Sequence, residues 1–170
     1  MNNHNHASSD RLSSTLNLAI WQQPEVIRWS QIMADSYFKL LGKELINLDN
    51  TPEKLAQALF KAPFVLVSHD TQYDPIFNYA NQTALQLWSL TWSEFTQTPS
   101  AATTEPVQRS DRQIMLRQAQ EQGYIDNYQG VRIANNGKKF LIQEVTLWNL
   151  TDESGQRCGQ AATFPNWTWL

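Results

Sequence analysis

Between Pro24 and Leu41 apolar residues recur every three or four positions, at Val26, Trp29, Met33, Tyr37, Leu40 and Leu41. That spacing predicts an amphipathic helix, with Pro24 in its first turn and Gly42 as its stop. Thr51-Pro52-Glu53 predicts a second helix capped by Thr51, with Leu55, Leu59 and Phe60 on one face, ending before Pro63. Phe64 to Val67 is a short β run, Ser68 to Pro75 a polar turn, and Ile76 to Ala80 a second strand. Asn81 then caps a helix carrying Ala84, Leu85, Leu87 and Trp88. Thr91 to Glu105 is polar and loop-like, with a helical turn around Trp92 to Phe95. Gln108 to Gln122 reads as a helix with Ile114, Leu116 and Ala119 among its few apolar residues, ended by Gly123. Three strands follow, Tyr124 to Ile133, Lys139 to Leu150 and Cys158 to Phe164. Asn135-Asn136-Gly137 and Asp152-Glu153-Ser154-Gly155 mark the turns between them. The expected architecture is α+β: a five-stranded antiparallel sheet from segments 64–67, 76–80, 124–133, 139–150 and 158–164, with helices on one face. Residues 1–20 are expected to form a disordered tail, 21–62 an N-terminal helical extension, and 63–170 the main domain.

Composition narrows the class. A chain of 170 residues suits one domain with a sizeable core. Seven Trp imply aromatic-rich packing or an aromatic-lined pocket. A net charge of -3 argues against non-specific binding to nucleic acid or anionic membrane. The single cysteine, Cys158, excludes an internal disulfide framework and an all-Cys zinc site, and suits a reducing compartment. Met1 to Ser14 lacks the apolar core of a signal peptide, and no apolar run approaches the roughly 20 residues of a membrane span. A cytoplasmic protein is the expectation. His4 and His6 lie in the tail without companion ligands, so no metal site is expected.

Two strands, a helical connection and a three-strand meander resemble the order of a PAS-type sensor domain. Particular residues sharpen the likeness. Ser68-His69, Asp74-Pro75-Ile76-Phe77-Asn78-Tyr79-Ala80-Asn81 and Ala84-Leu85-Gln86-Leu87-Trp88 resemble the MEKHLA domain. So do Gly123-Tyr124-Ile125-Asp126-Asn127-Tyr128-Gln129-Gly130-Val131-Arg132-Ile133, Trp148-Asn149-Leu150 and Cys158-Gly159-Gln160-Ala161-Ala162-Thr163-Phe164. The likeness extends before the PAS-like part, over Ser36 to Leu45. That family includes free-standing bacterial and algal proteins and the C-terminal part of plant class III homeodomain–leucine-zipper transcription factors. This chain resembles the free-standing bacterial type. With no homeodomain or basic zipper in it, direct nucleic-acid binding is not implied. The resemblance implies a PAS-like fold and a sensory or regulatory role, and offers no established catalytic residue to carry over.

PAS cofactors leave traces in sequence. A flavin-adduct light sensor uses a Cys in the helical middle, and no residue between Gln82 and Gln122 is Cys. A haem PAS domain usually takes its axial His from the same region, whereas the three His are His4, His6 and His69. Neither cofactor is expected, and Cys158 reads as a small strand residue. Alternation along residues 140–148 puts Phe140, Ile142, Glu144, Thr146 and Trp148 on one face and Leu141, Gln143, Val145 and Leu147 on the other. Both faces are largely apolar, so this strand is expected to be covered on both sides. Similarity to flavin-binding PAS domains around Gly137-Lys138-Lys139-Phe140 implies that the Phe140/Glu144/Trp148 face points to the pocket, with Arg132 beside it. A two-residue Asn136-Gly137 turn would move Arg132 to the opposite face, and a three-residue loop would keep it. With both inward, Arg132 and Glu144 form either an anchor for a small polar ligand or a self-satisfied structural pair. Tyr79, Trp88 and Trp148 either line a pocket for a flat ligand or are core. His69, Asp70 and Asp74 read as a turn whose side chains bond nearby backbone, or as an acid–base or metal site.

The leading expectation is a non-enzymatic sensory or regulatory domain. Its partners would be a small molecule, a regulatory protein, or a second copy held through Trp29, Met33, Tyr37 and Leu40. The rivals are an interaction or dimerisation module with a filled core, and a small cone-fold α+β enzyme using Asp74, His69 or Glu144 as base.

Overall fold

The computed structural model of the chain describes residues 17–47 and 51–170. The expected tail, with His4 and His6, lies outside the described residues as far as residue 16. From there a 3-10 turn, Ile20–Gln22, leads into helix α1, Pro24–Leu41. Gly42 ends α1 at φ 70, a left-handed conformation that costs glycine little, and its N–H reaches the Phe38 carbonyl. Helix α2, Pro52–Lys61, starts at Thr51, whose side chain accepts from the Lys54 N–H. Strands β1, Val65–His69, and β2, Phe77–Ala80, follow. Helix α3, Gln82–Trp88, is capped by Asn81, whose buried amide oxygen also accepts from the Leu66 N–H at 3.1 Å. Helix α4, Trp92–Phe95, and a 3-10 turn, Ser100–Thr103, lead to α5, Pro106–Gln122. The chain closes with β3, Tyr124–Ile133, β4, Lys139–Thr151, β5, Arg157–Phe164, and β6, Asn166–Trp169. No helix among the described residues is long and apolar enough to cross a membrane.

The sheet runs β2-β1-β5-β4-β3, every pairing antiparallel, with β6 also on β4. The expected five strands are all present, and β6 is an addition. Its cause is arithmetic along β4, which is longer than its neighbour. β5 pairs with residues 146–151 of β4 and leaves the edge at 140–143 open. After Pro165 the chain covers that edge, pairing Trp167 with Ile142 and Trp169 with Phe140. Backbone groups that would otherwise lack partners are thereby satisfied.

The sheet is covered on both faces. Under α3 to α5 lies a core of Val65, Val67, Phe77, Trp88, Phe95, Phe140, Ile142, Val145 and Phe164. Under α1 and α2 lies a second core of Met33, Tyr37, Leu59, Leu66, Tyr79, Trp148 and Leu150. The N-terminal extension is thus the outer layer of the sheet.

Two β-bulges decide which residues face which layer. Along β4 the register passes from Val145 opposite Tyr128 to Ile142 opposite Gly130, so Glu144 is an extra residue, held at φ 54. Such an insertion flips every later side chain to the other face. Strict alternation therefore fails here. Phe140, Ile142, Val145 and Leu147 share the inner face, while Thr146, Trp148 and Leu150 turn to the extension. In β2, Ser68 pairs with Tyr79 and His69 with Phe77, which leaves Asn78 as the bulge. Tyr79 consequently joins the extension side and Phe77 the inner side.

Candidate functional site

Between the inner face of the sheet and α5 is a cavity of about 60 Å³. Most of its wall is apolar, with Val67, Phe77, Trp88, Ile142, Val145 and Leu147 prominent. Its polar residues are Ser68, His69, Ser100, Thr103, Arg112, Tyr128, Arg132 and Gln160, and no carboxylate among the described residues lines it.

Arg112 enters from α5. The buried or half-buried positions of that helix recur at Arg112, Met115, Leu116 and Ala119, a spacing of three and four. Ile114 points away and is 52% exposed, so the helix is rotated from the phase its apolar residues suggested. Arg112 is 8% exposed, and its Nη2 donates to the Ser100 hydroxyl. Burial, and secondly the positive charge of Arg132, push its pKa down to about 10, while Tyr128 and the exposed Asp74 pull the other way. The two ion pairs among the described residues, Arg28–Glu153 and Lys139–Glu105, are elsewhere on the surface.

Arg132 reaches the cavity because the hairpin loop has three residues. The Ala134 N–H bonds to the Lys138 carbonyl and the Gly137 N–H to the Ala134 carbonyl, with Gly137 at φ 80. Arg132 then stands opposite Phe140, on the inner face. Its guanidinium lies 5.7 Å from the centre of the Tyr128 ring, with Nη1 donating to the Val131 carbonyl at 2.9 Å. The two side chains fold over Gly130, where a Cβ would fall 2.5 Å from the Tyr128 hydroxyl and 3.0 Å from Arg132 Nη1.

His69 ends β1 facing the same space. Its Nδ1 lies 2.7 Å from the Asp70 carbonyl, which fixes the proton there, and leaves Nε2 as a lone-pair acceptor. That Nε2 is buried and has no partner. Burial is the main reason its pKa falls to about 4; Arg112 and Arg157 push it the same way, and the Asp70 carbonyl opposes them. Asp70 itself closes the following turn, accepting from the N–H groups of Gln72 and Ile76. Among the described residues no three His, Cys, Asp or Glu side chains gather as a metal site would need.

The residues singled out from sequence separate into three groups. Arg132, Ile142 and Trp88 line the cavity, and Phe140 packs behind them, 5.2 Å from the Trp88 ring. Tyr79 and Trp148 lie on the other face of the sheet, against α4 and α1, for the bulge reason given above. Glu144 is exposed at its bulge, where it accepts from the Asn166 amide at 3.0 Å. The Arg132–Glu144 pair therefore does not form. Arg112, Tyr128 and Gln160 were missed, although an Arg at the head of a three-and-four stripe was a readable signal for the first. The stripe Trp29, Met33, Tyr37 and Leu40 packs on this chain's own sheet. Trp29 Nε1 donates to Ser68 Oγ at 2.8 Å, Tyr37 stacks edge-on to Trp148 at 4.9 Å, and Leu40 abuts Gly123.

A family model described as the MEKHLA domain matches residues 27–169. No curated protein matches the chain. Among solved structures, a PAS domain from Colwellia psychrerythraea aligns with a TM-score of 0.57 at 17% identity, over 65% of this chain and 92% of its own. The light-state dimer of the fungal blue-light photoreceptor Vivid aligns with a TM-score of 0.54 at 16% identity, over 88% and 97%. A light-oxygen-voltage domain studied with a flavin analogue gives 0.54 at 21% identity, over 69% and 84%. These likenesses establish the PAS fold.

Proposed function

The chain belongs to the MEKHLA domain family, and from that premise we propose that it is a PAS-type sensory or regulatory module that holds a small molecule in the cavity beneath α5. The observation that carries this reading is His69 Nε2, a buried acceptor without a hydrogen-bond partner among the described residues, at the wall of the cavity. Buried polar atoms are rarely left unsatisfied, and an orphan beside a cavity marks a place for a ligand or ordered water. Binding without chemistry is the mode this site supports. The cavity wall has cations and a weakly basic histidine, but no carboxylate or thiol to serve as nucleophile. A flavin suits it poorly. Pockets for ligands of that size run to about 300–1,000 Å³, against about 60 Å³ here. The one cysteine, Cys158, packs on the extension side of the sheet.

Gentle native mass spectrometry of the full chain tests the reading. Wild-type protein should carry a non-covalent small molecule. Ala162→Leu, which puts a larger side chain on the cavity wall, should lose it. Bare protein throughout, with no thermal stabilisation by any member of a small-molecule library, would overturn the proposal.

A further inference from the structure

Arg112 and Arg132 bring two guanidinium groups to one small space with no acidic residue among the described residues of its wall. Arg112 is buried, with the Ser100 hydroxyl as its hydrogen-bond partner and no ion pair among the described residues. The charge of Arg132 helps to depress the pKa of Arg112. A buried charge is expensive unless an opposite charge meets it. Other proteins supply that charge from a paired side chain; here Asp74 acts on Arg112 only from the exposed turn, and no described carboxylate forms an ion pair with it.

Resting on the reading of this cavity as a ligand site, we propose that the missing counter-charge is the ligand itself, a short-chain organic carboxylate. Its carboxylate lies between Arg112 and Arg132, and its hydrocarbon end lies against Val67, Ile142, Val145 and Leu147. Guanidinium forks match carboxylate and phosphate alike, so the cations alone do not choose. The wall chooses. An inorganic oxyanion would press most of its oxygens against hydrocarbon, whereas an organic acid places C–H groups there. Size sets the chain length. At about 10–15 Å³ of cavity for each water-sized group, a volume of about 60 Å³ admits only a few heavy-atom groups.

The test uses the full chain in chloride at constant ionic strength. Formate, acetate, propionate and butyrate are titrated by thermal shift and calorimetry beside acetamide, propionamide and inorganic phosphate. At least one acid should bind saturably, while its amide and phosphate do not. Arg112→Met should weaken that acid at least tenfold. Arg132→Gln, at a half-buried position, should weaken it too and serves if Arg112→Met fails to fold. Amides binding as well as acids, phosphate binding better, or unchanged affinity in the variants would each overturn the carboxylate assignment. So would no response to any acid. In those cases a small molecule retained in native mass spectra leaves the sensory reading standing. If that retention is missing and no small molecule stabilises the chain thermally, both readings fall.

Discussion

Acidification should destabilise this fold through His69 in a window set by one buried ring. The side chain is 7% exposed, and its pKa is pushed from 6.5 to about 4. The unfolded chain therefore binds a proton on this residue that the folded chain refuses between those values. Stability rises with pH wherever the unfolded state holds more protons. The contribution of His69 is thus complete above pH 6.5 and is lost as the pH falls toward 4. A shift of about 2.5 units at roughly 1.4 kcal/mol each is about 3.5 kcal/mol in full, of which about 3 kcal/mol is lost by pH 4. Asp70, through its carbonyl, is the group that raises this pKa; Arg112 and Arg157 lower it further. The assay is urea unfolding of wild type and His69→Gln at pH values from 7 to 4, in buffers free of carboxylic acids. Acidic groups with depressed pKa values, Glu94, Asp152 and Glu153, titrate alike in both proteins and cancel in the difference. The wild type should lose up to about 3 kcal/mol more than the variant across the window. A difference that stays flat would show that the imidazole is reached by water or paired when charged, and the cavity geometry around Nε2 would be wrong.

Other perturbations separate the two faces of the sheet. Trp148 is fully buried and donates to the Met33 carbonyl, so Trp148→Ala should cost about 3–5 kcal/mol by chemical denaturation. Glu144→Gly should stay within about 1 kcal/mol of wild type, because relief of the left-handed backbone offsets the lost bond to Asn166, whereas Glu144→Val should be clearly worse. Arg132→Ala and Glu144→Ala should be additive in a double-mutant cycle, since the groups do not meet; a coupling above about 0.5 kcal/mol would contradict the structure. Removing residues 1–62 strips α1 and α2 from the outer core, and light scattering should report aggregation of the truncated chain.

Local signals carried the fold. The boundaries of α1, the caps at Thr51 and Asn81, the stop at Gly123 and the turn at Asn135-Asn136-Gly137 depend on nearest neighbours, and they were legible as written. The candidate site depends on register, which neighbours do not fix. One extra residue at Glu144 and one at Asn78 sent Trp148 and Tyr79 to the far face, although both are aromatic residues in plausible pocket strands. Neither bulge is at a glycine, the residue whose presence would have announced it. Arg112 was hidden for another reason. A charged residue on a largely polar helix reads as solvated, and only the phase shared with Met115, Leu116 and Ala119 places it inside.

Strand pleating explains how one thin sheet serves two layers. Consecutive residues of β1 divide between them: His69 faces the cavity, while Ser68 faces the extension. Ser68 accepts from Trp29 Nε1 and donates to Asn78 Oδ1 at 2.6 Å, and Asn78 is itself the bulge residue of β2. In β5, Ala162 lies on the inner core and Ala161 on the outer one. A backbone displacement that re-aims His69 or Ala162 must therefore move Ser68 or Ala161 by a similar amount, because peptide geometry allows neighbours little independence within a paired strand. On the outer side Met33 of α1 is fully buried and Tyr37 packs edge-on against Trp148. Cavity and extension thus share β1 and β5, whose neighbouring residues face opposite layers, while Glu144 is exposed at its bulge in β4.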